Sequence, residues 1–318
     1  MKRVVTTRGG HVETAHPVTI VICRSDSSVV TVHGPPLVTT WRSAAKPFQL
    51  LASLEWLGTA DFSDGFLAIG AASHSGESRH VRTVKALLDV LEIPETALRC
   101  GAHAPLEAVT NRAMIRAGKE PCSIHNNCSG KHAFMAGALR AYGLKGQDYR
   151  RLDHPFQRHV RQVIERYTGG LDIEPGTDGC GVPCWILPVK RMAHAWAQLA
   201  QSVAQFEGPL GAIGTAMRRC PELVSGSGRL DLAIAEASGG AVISKVGAAG
   251  LLCAAIPDLG FGIAIKVHSG HAQARAVAAA SVLMELLPDR FDYRHSWFSE
   301  QAIVRNVVGD IIGRVHVE

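Results

Sequence analysis

Ser43-Ala44-Ala45-Lys46 is an S-x-x-K element. Positions three apart on a helix share a face, so a hydroxyl and an amine at this spacing can reach each other. The chemistry this permits is nucleophilic: a neutral amine takes the serine proton and frees the oxygen to attack a carbonyl carbon. A lysine amine is ordinarily charged near neutral pH, so it serves as a base only where burial or neighbouring cations favour its neutral form. Pro47 follows directly. Proline suits a helix only near its start, which would put Ser43 at a helix N-terminus, where the dipole favours a developing alkoxide. The element is short enough to arise by chance, and it also reads as a serine cap followed by a solvated lysine.

Two later segments could complete such a site. Ala72-Ser73-His74-Ser75-Gly76-Glu77 follows an apolar run and offers a second hydroxyl at Ser75, in the kind of loop at an element's end that often carries function; it reads equally as a capped turn. Ser244-Lys245-Val246-Gly247 sits beside an expected strand. Serine β-lactamases and penicillin-binding proteins set a K-T-G element opposite their S-x-x-K helix. With Val246 in the middle position the match is partial, and Lys245 alone would pass for a surface strand lysine.

The densest group of reactive types is His125-Asn126-Asn127-Cys128-Ser129-Gly130-Lys131-His132, followed some fifty residues on by Asp178-Gly179-Cys180-Gly181-Val182-Pro183-Cys184. Thiolates on two glycine-containing loops are a start to a zinc site. The spacing lacks the paired C-x-x-C units of a closed structural site, so an open site with three protein ligands and water fits better. Buried, inert cysteines are the competing reading. Cys23, Cys100, Cys220 and Cys253 stand in apolar or isolated settings and are expected in the core. His74, His103, His125, His132 and His154 flank glycine, proline or cysteine segments and are assigned no catalytic role.

The elements that must hold these residues read as follows. Val18 to Cys23 and Val29 to Val32 are β-branched runs around a turn and predict a hairpin. Helical spacing is expected from about Ser43 through Leu57, then over His80 to Val90, Asn111 to Ala117, His132 to Tyr142, Pro155 to Arg166 and Ile186 to Ser202. Phe66 to Ala72 suits a buried strand or helix. Ile243 to Gly250, Leu251 to Ile256 and Gly260 to Val267 return to strand character before a helix over Ala272 to Leu287 and a closing segment, Val304 to Val317. Strands at both ends with helices between predict a discontinuous chain: residues 1–80 and 235–318 in an α/β lobe built on a sheet, 81–234 in a mainly helical lobe, and the site between them.

The chain's 318 residues are 47% hydrophobic and 19% charged, enough for a sizeable core. A net charge of +5 with scattered basic residues and only 6% aromatics does not suit a nucleic-acid surface. No run reaches the ~20 apolar residues of a membrane span, and the N-terminus shows no secretory pattern. A cytoplasmic protein is expected, in which eight cysteines favour metal binding or chemistry over a disulfide framework.

Taken together, the motifs resemble a known family. Arg8-Gly9-Gly10 with Glu13 and His16, Ser43 to Pro47, Ala72 to Glu77, Asn126 to His132, Asp178-Gly179-Cys180 with Pro183, and Lys245-Val246-Gly247 with Gly250 are similar, in order, to blocks of the Rhizobium etli-type (class 3, thermolabile) L-asparaginases. The resemblance runs from residue 8 to about 270. The Asn-Asn-Cys-Ser-Gly-Lys-His block is its most specific part. It implies an α/β, serine β-lactamase-like fold, a mixed antiparallel sheet with packed helices plus a helical lobe, and a homodimer that hydrolyses the side-chain amide of L-asparagine. It further implies Ser43 as nucleophile with Lys46 as its base, a second pair in Ser75 and Lys245, and a Zn2+ ion held by Cys128, Lys131 and Cys180 with water. One departure is Met217-Arg218-Arg219-Cys220-Pro221, where the family commonly has His before Pro. The rival readings are another serine hydrolase of β-lactamase or esterase type, and a zinc-stabilised binding protein without catalysis.

Overall fold

The computed structural model of this mixed α/β protein describes residues 2–58, 62–144 and 148–318. The chain divides into two compact units. Met1–Ala44, Leu187–Gln201 and Ala233–Glu318 form the first; Ala45–Ile186 and Ser202–Leu232 form the second.

The first unit is built on an eight-stranded sheet. Its path runs Ile303–Arg305, Ile311–Val317, Arg3–Arg8, His11–Cys23, Phe261–Val267, Leu251–Ile256, Ile243–Gly247, with Val29–His33 pairing His11–Cys23 off that path. Every one of these pairings is antiparallel. The two ends of the chain meet in it, Val4 opposite Val317. The expected hairpin is present, with Val21 opposite Val32. Its first strand begins earlier than expected, at His11. Residues 11–15 are exposed, so they show no apolar alternation, and they are ordered by pairing with Arg3–Arg8 across Gly9 and Gly10, whose φ values of 55° and 86° suit a tight hairpin turn.

Leu251–Ile256 is buried at all six positions, which explains its unbroken apolar run: both faces are covered. The helix Ala272–Leu286 packs on the sheet. The helix Val189–Ala204 also approaches it closely. A Cβ on Gly262 would lie 2.1 Å from Ala193 O and 2.1 Å from Ala197 N, so this contact is backbone on backbone. That approach accounts for Leu187–Gln201 grouping with the sheet, whereas the sequence places it with the helical lobe. The first break likewise falls at Ala44, where the sequence places it near residue 80.

The second unit is mainly helical, with Lys46–Leu57, Asp64–Gly70, Ser78–Val90, Ala108–Arg116, Ser129–Ala141, Pro155–Thr168 and Gly208–Arg219 as its longer elements. The apolar run after Leu57 resolves as a helix, Asp64–Gly70, capped by the Ser63 side chain. Lys46–Leu57 and Ser129–Ala141 pack against each other at the centre. Residues 129–139 of the latter are all buried. Gly130 permits this, since a Cβ there would sit 2.2 Å from Ile69 O. The helix that carries the cysteine block is thereby clamped, and its N-terminus is fixed in space.

Candidate active site

Lys46 opens the helix Lys46–Leu57, with Pro47 in the first turn as the sequence predicts. Ser43 lies one step earlier, in the 3₁₀ turn Arg42–Ala45 of the first unit. Lys46 is 1% exposed, so it is no solvated surface lysine. Its Nζ bonds Ala72 O, Ser73 Oγ at 2.9 Å and Asn127 O at 3.3 Å. The serine of the 72–77 segment that meets Lys46 is therefore Ser73, which the sequence did not single out; Ser75 is the expected partner of Lys245, not of Lys46. Residues two apart in extended backbone line the same face, so spacing alone does not distinguish Ser73 from Ser75 as the one that meets the lysine.

Ser75 is also buried, 1% exposed, and its Oγ donates to Ser225 O at 2.7 Å. Lys245 lies in the strand Ile243–Gly247 of the first unit, fully buried, with Nζ donating to Val246 O at 2.9 Å. Ser43 and Lys245 belong to the first unit, and Lys46, Ser75, Cys128, Lys131 and Cys180 to the second.

His74 locks the loop from behind. Its Nδ1 accepts the Gly76 N–H at 3.1 Å, leaving Nε2 to donate to Ser129 Oγ at 2.8 Å; Ser129 passes its own proton to Ile124 O at 3.0 Å. Burial lowers the His74 pKa well below its usual value, so the ring is neutral and the tautomer follows from its partners. This is a structural histidine.

Asn127 links this cluster to the sulfur cluster. Its carbonyl takes both Lys46 Nζ and the His74 N–H, at 3.3 and 3.2 Å. The next residue, Cys128, sits at the N-cap of Ser129–Ala141, with its N–H on Asn126 Oδ1 at 2.8 Å. Lys131 follows three positions on, on the same face, and its Nζ lies 3.3 Å from Cys180 Sγ. Cys180 is presented by a tight turn closed by Gly181 N–H on Asp178 O at 2.8 Å, with Gly181 at a φ of 87° that favours glycine.

The two thiols divide their roles. The neighbouring Cys128 thiol, whose Sγ donates to Asn127 Oδ1 at 3.2 Å, and the Lys131 charge hold Cys180 far below the usual thiol range against the upward push of burial, and His132 adds to this. Cys128 is correspondingly raised well above that range. Burial pushes the Lys131 ammonium down, but Cys180, Cys128 and Asp178 outweigh it and hold Lys131 at about 12. His132 is fully buried, with Nδ1 on the Tyr149 hydroxyl at 2.8 Å and Nε2 lacking a hydrogen-bond partner in the field of Cys180.

Among the described residues no three His, Cys, Asp or Glu side chains converge as a metal site. What converges is two sulfurs and a lysine nitrogen. In a tetrahedral zinc site, with metal–sulfur near 2.3 Å and metal–nitrogen near 2.0 Å, sulfur and nitrogen ligands stand about 3.5 Å apart. The Lys131–Cys180 separation of 3.3 Å agrees with that, and two soft sulfurs with one nitrogen are a donor set zinc accepts. The residues fit the ion.

None of the eight cysteines is in a disulfide. Cys23, Cys100 and Cys253 are buried as expected, whereas Cys220 is only half-buried, because it stands between Gly208–Arg219 and Pro221–Val224 rather than inside an element.

The family model described as L-asparaginase II matches residues 4–317. The chain belongs to the L-asparaginase II family. No curated protein is a significant match. Among solved structures, this asparaginase-family chain is similar to Mglu in its native form in the presence of 4.3 M NaCl, with 14% identity over 85% of this chain and 61% of that one, and a TM-score of 0.45. It is similar also to Mglu in its glutamate form, at 17% identity over 85% and 60% and a TM-score of 0.38. The asparaginase-family chain thus spans about 61% of the length of the first of these neighbours. No helix among its described residues is long and apolar enough to cross a membrane.

Proposed function

We propose that this protein hydrolyses the side-chain amide of L-asparagine to L-aspartate and ammonia, with Ser43 as nucleophile and Lys46 as its base. The observation that carries the reading is Lys46, nearly unexposed and hydrogen-bonded at the head of its helix, three residues after Ser43 in a chain that matches the L-asparaginase II family from end to end. Ser43 Oγ would bond to the amide carbon while Lys46, neutral at that moment, accepts its proton. As the carbon–nitrogen bond breaks, that proton leaves with ammonia and an ester remains on Ser43. Water then cleaves the ester, releasing aspartate and restoring the serine. Proton transfer by positioned groups contributes typically ~10²–10⁴ in rate.

Ser75 with Lys245 is proposed as the second serine–lysine pair, on the resemblance of their motifs. Cys128, Lys131 and Cys180 would hold a zinc ion with water, and Lys131 would bind it only as the neutral amine. When bound, the zinc would supply positive charge to orient the substrate's charged groups or to lower nearby lysine pKa values. A serine β-lactamase-like fold, the thermolabile class and a cytoplasmic homodimer belong to the same reading.

The test is ammonia release from L-asparagine in a coupled assay, with L-glutamine and a chromogenic β-lactam beside it. Release from asparagine is expected, with Ser43→Ala abolishing turnover while fold and metal content persist. Full activity in that variant would remove Ser43 as nucleophile, and β-lactam turnover without ammonia release would reassign the chemistry.

A further inference from the structure

The segment Glu222–Ser227 is fastened along the Ser73–His80 segment in a way the reaction above does not explain. Val224 O takes the Ser73 N–H at 2.9 Å. Ser225 O takes the Ser75 hydroxyl at 2.7 Å, and Glu222 O takes His80 Nε2 at 2.9 Å. In the other direction, Glu77 Oε1 accepts the Ser227 N–H at 2.7 Å and Glu77 Oε2 its hydroxyl at 3.3 Å. Gly226, at a φ of 110°, lies at the centre of this strap. A Cβ there would stand 2.6 Å from Ser75 Oγ, 2.4 Å from Glu77 Oε1 and 2.9 Å from His80 Cε1.

We infer that Glu222–Ser227 is a positioning strap that aims the Ser75 hydroxyl, with Gly226 as the residue that makes its close approach possible. A serine hydroxyl has one proton and two lone pairs. By accepting that proton at Ser225 O, the strap turns the lone pairs of Ser75 to the opposite side and fixes its rotamer. At rest Ser75 donates to the strap and offers only its lone pairs elsewhere, so it donates to a reacting group only after leaving the strap carbonyl. The atoms that a Cβ at Gly226 would meet are the ends of side chains. Gly226→Ala is therefore expected to push Ser75 off Ser225 O and Glu77 off Ser227, in addition to straining a backbone whose φ favours glycine. The inference rests on the proposed catalytic role of Ser75.

The experiment compares Gly226→Ala with Gly228→Ala in steady-state hydrolysis of L-asparagine. Gly228 shares the segment and a positive φ of 67°, but a Cβ there meets nothing within 4 Å. Displacing a reacting group by about 1 Å can cost ~10²-fold. The expected result is a loss of about that size in kcat for Gly226→Ala with KM little changed, and near wild-type kcat for Gly228→Ala. Equal losses in both variants, or an unchanged kcat in Gly226→Ala, would overturn the inference. Wild-type protein that releases no ammonia would instead overturn the proposed function beneath it. Should Gly226→Ala fail to fold, Glu77→Ala against Glu77→Gln asks the same question. Glutamine keeps an oxygen for the Ser227 N–H, so it should hold kcat where alanine loses it. Matching behaviour of the two Glu77 variants would count against the strap.

Discussion

At the residue scale, the most informative group is the Cys128–Lys131–Cys180 cluster. Cys180 is held far below the usual thiol range by the neighbouring Cys128 and the Lys131 charge, while Cys128 and Lys131 are held above their usual values. Binding zinc in that place must release the Cys128 and Lys131 protons, which makes affinity rise with pH. In the proposed site each sulfur would be one of only three protein ligands. Cys128→Ser and Cys180→Ser are therefore each expected to lower bound zinc, measured by atomic emission on dialysed protein, from about one ion per chain to a small fraction of that. Unchanged stoichiometry in both would remove the cluster as the zinc site. The contrast with Ser73 shows what residue types announce and what they hide. Cys128, Lys131 and Cys180 suggest a metal site by residue type, with buried inert cysteines as the competing reading. Which of Ser73 and Ser75 meets Lys46 depends on how a loop is wound, and that winding is set by Val224 and Ser225, some 150 residues away along the chain.

At the element scale, the sequence was legible wherever burial imposes a period. The hairpin from Val18 to Val32 and the strands Leu251–Ile256 and Phe261–Val267 are marked by β-branched and apolar runs. The helices Ser78–Val90, Pro155–Thr168 and Ala272–Leu286 are marked by three- and four-residue spacing. Gly208–Arg219 was not legible. Its Gly208-Pro209, Gly211 and Gly214 weaken a helical pattern, yet Gly211 lies so near the Ser202 carbonyl that a Cβ would be 2.5 Å from its oxygen. Glycine serves tight packing there, and tertiary contact overrides propensity. The same logic governs Gly262, where the obstructing atoms are helix backbone at 2.1 Å and cannot swing aside. Gly262→Ala must separate the helix Val189–Ala204 from its strand, so a loss of about 3 kcal/mol or more is expected, at the upper end for overpacked cores. Urea unfolding followed by circular dichroism measures it. A variant within about 0.5 kcal/mol of wild type would show the helix to be loosely seated.

At the scale of the whole molecule, strands far apart in sequence are neighbours in one sheet, Val4 lying against Val317. Its interior carries a thiol with a distinct pH signature. Cys253, in the middle of the sheet and fully buried, is pushed by burial up to about 12. In the unfolded chain a thiol ionises near pH ~8.5. Above that value the unfolded state has shed its proton while the folded state keeps it, so stability falls as pH rises and goes on falling until the folded pKa is passed. Each pH unit in that window costs up to about 1.4 kcal/mol for this one group. Cys253→Ala removes the ionisable group and leaves a small cavity whose cost is independent of pH. The variant should be less stable than wild type at pH 7, and the gap should narrow by roughly 2 kcal/mol between pH 8.5 and pH 10.5. Urea midpoints across that range decide it. A gap that stays constant would mean the thiol is reached by water and ionises in the folded protein, which the sheet's covered faces forbid.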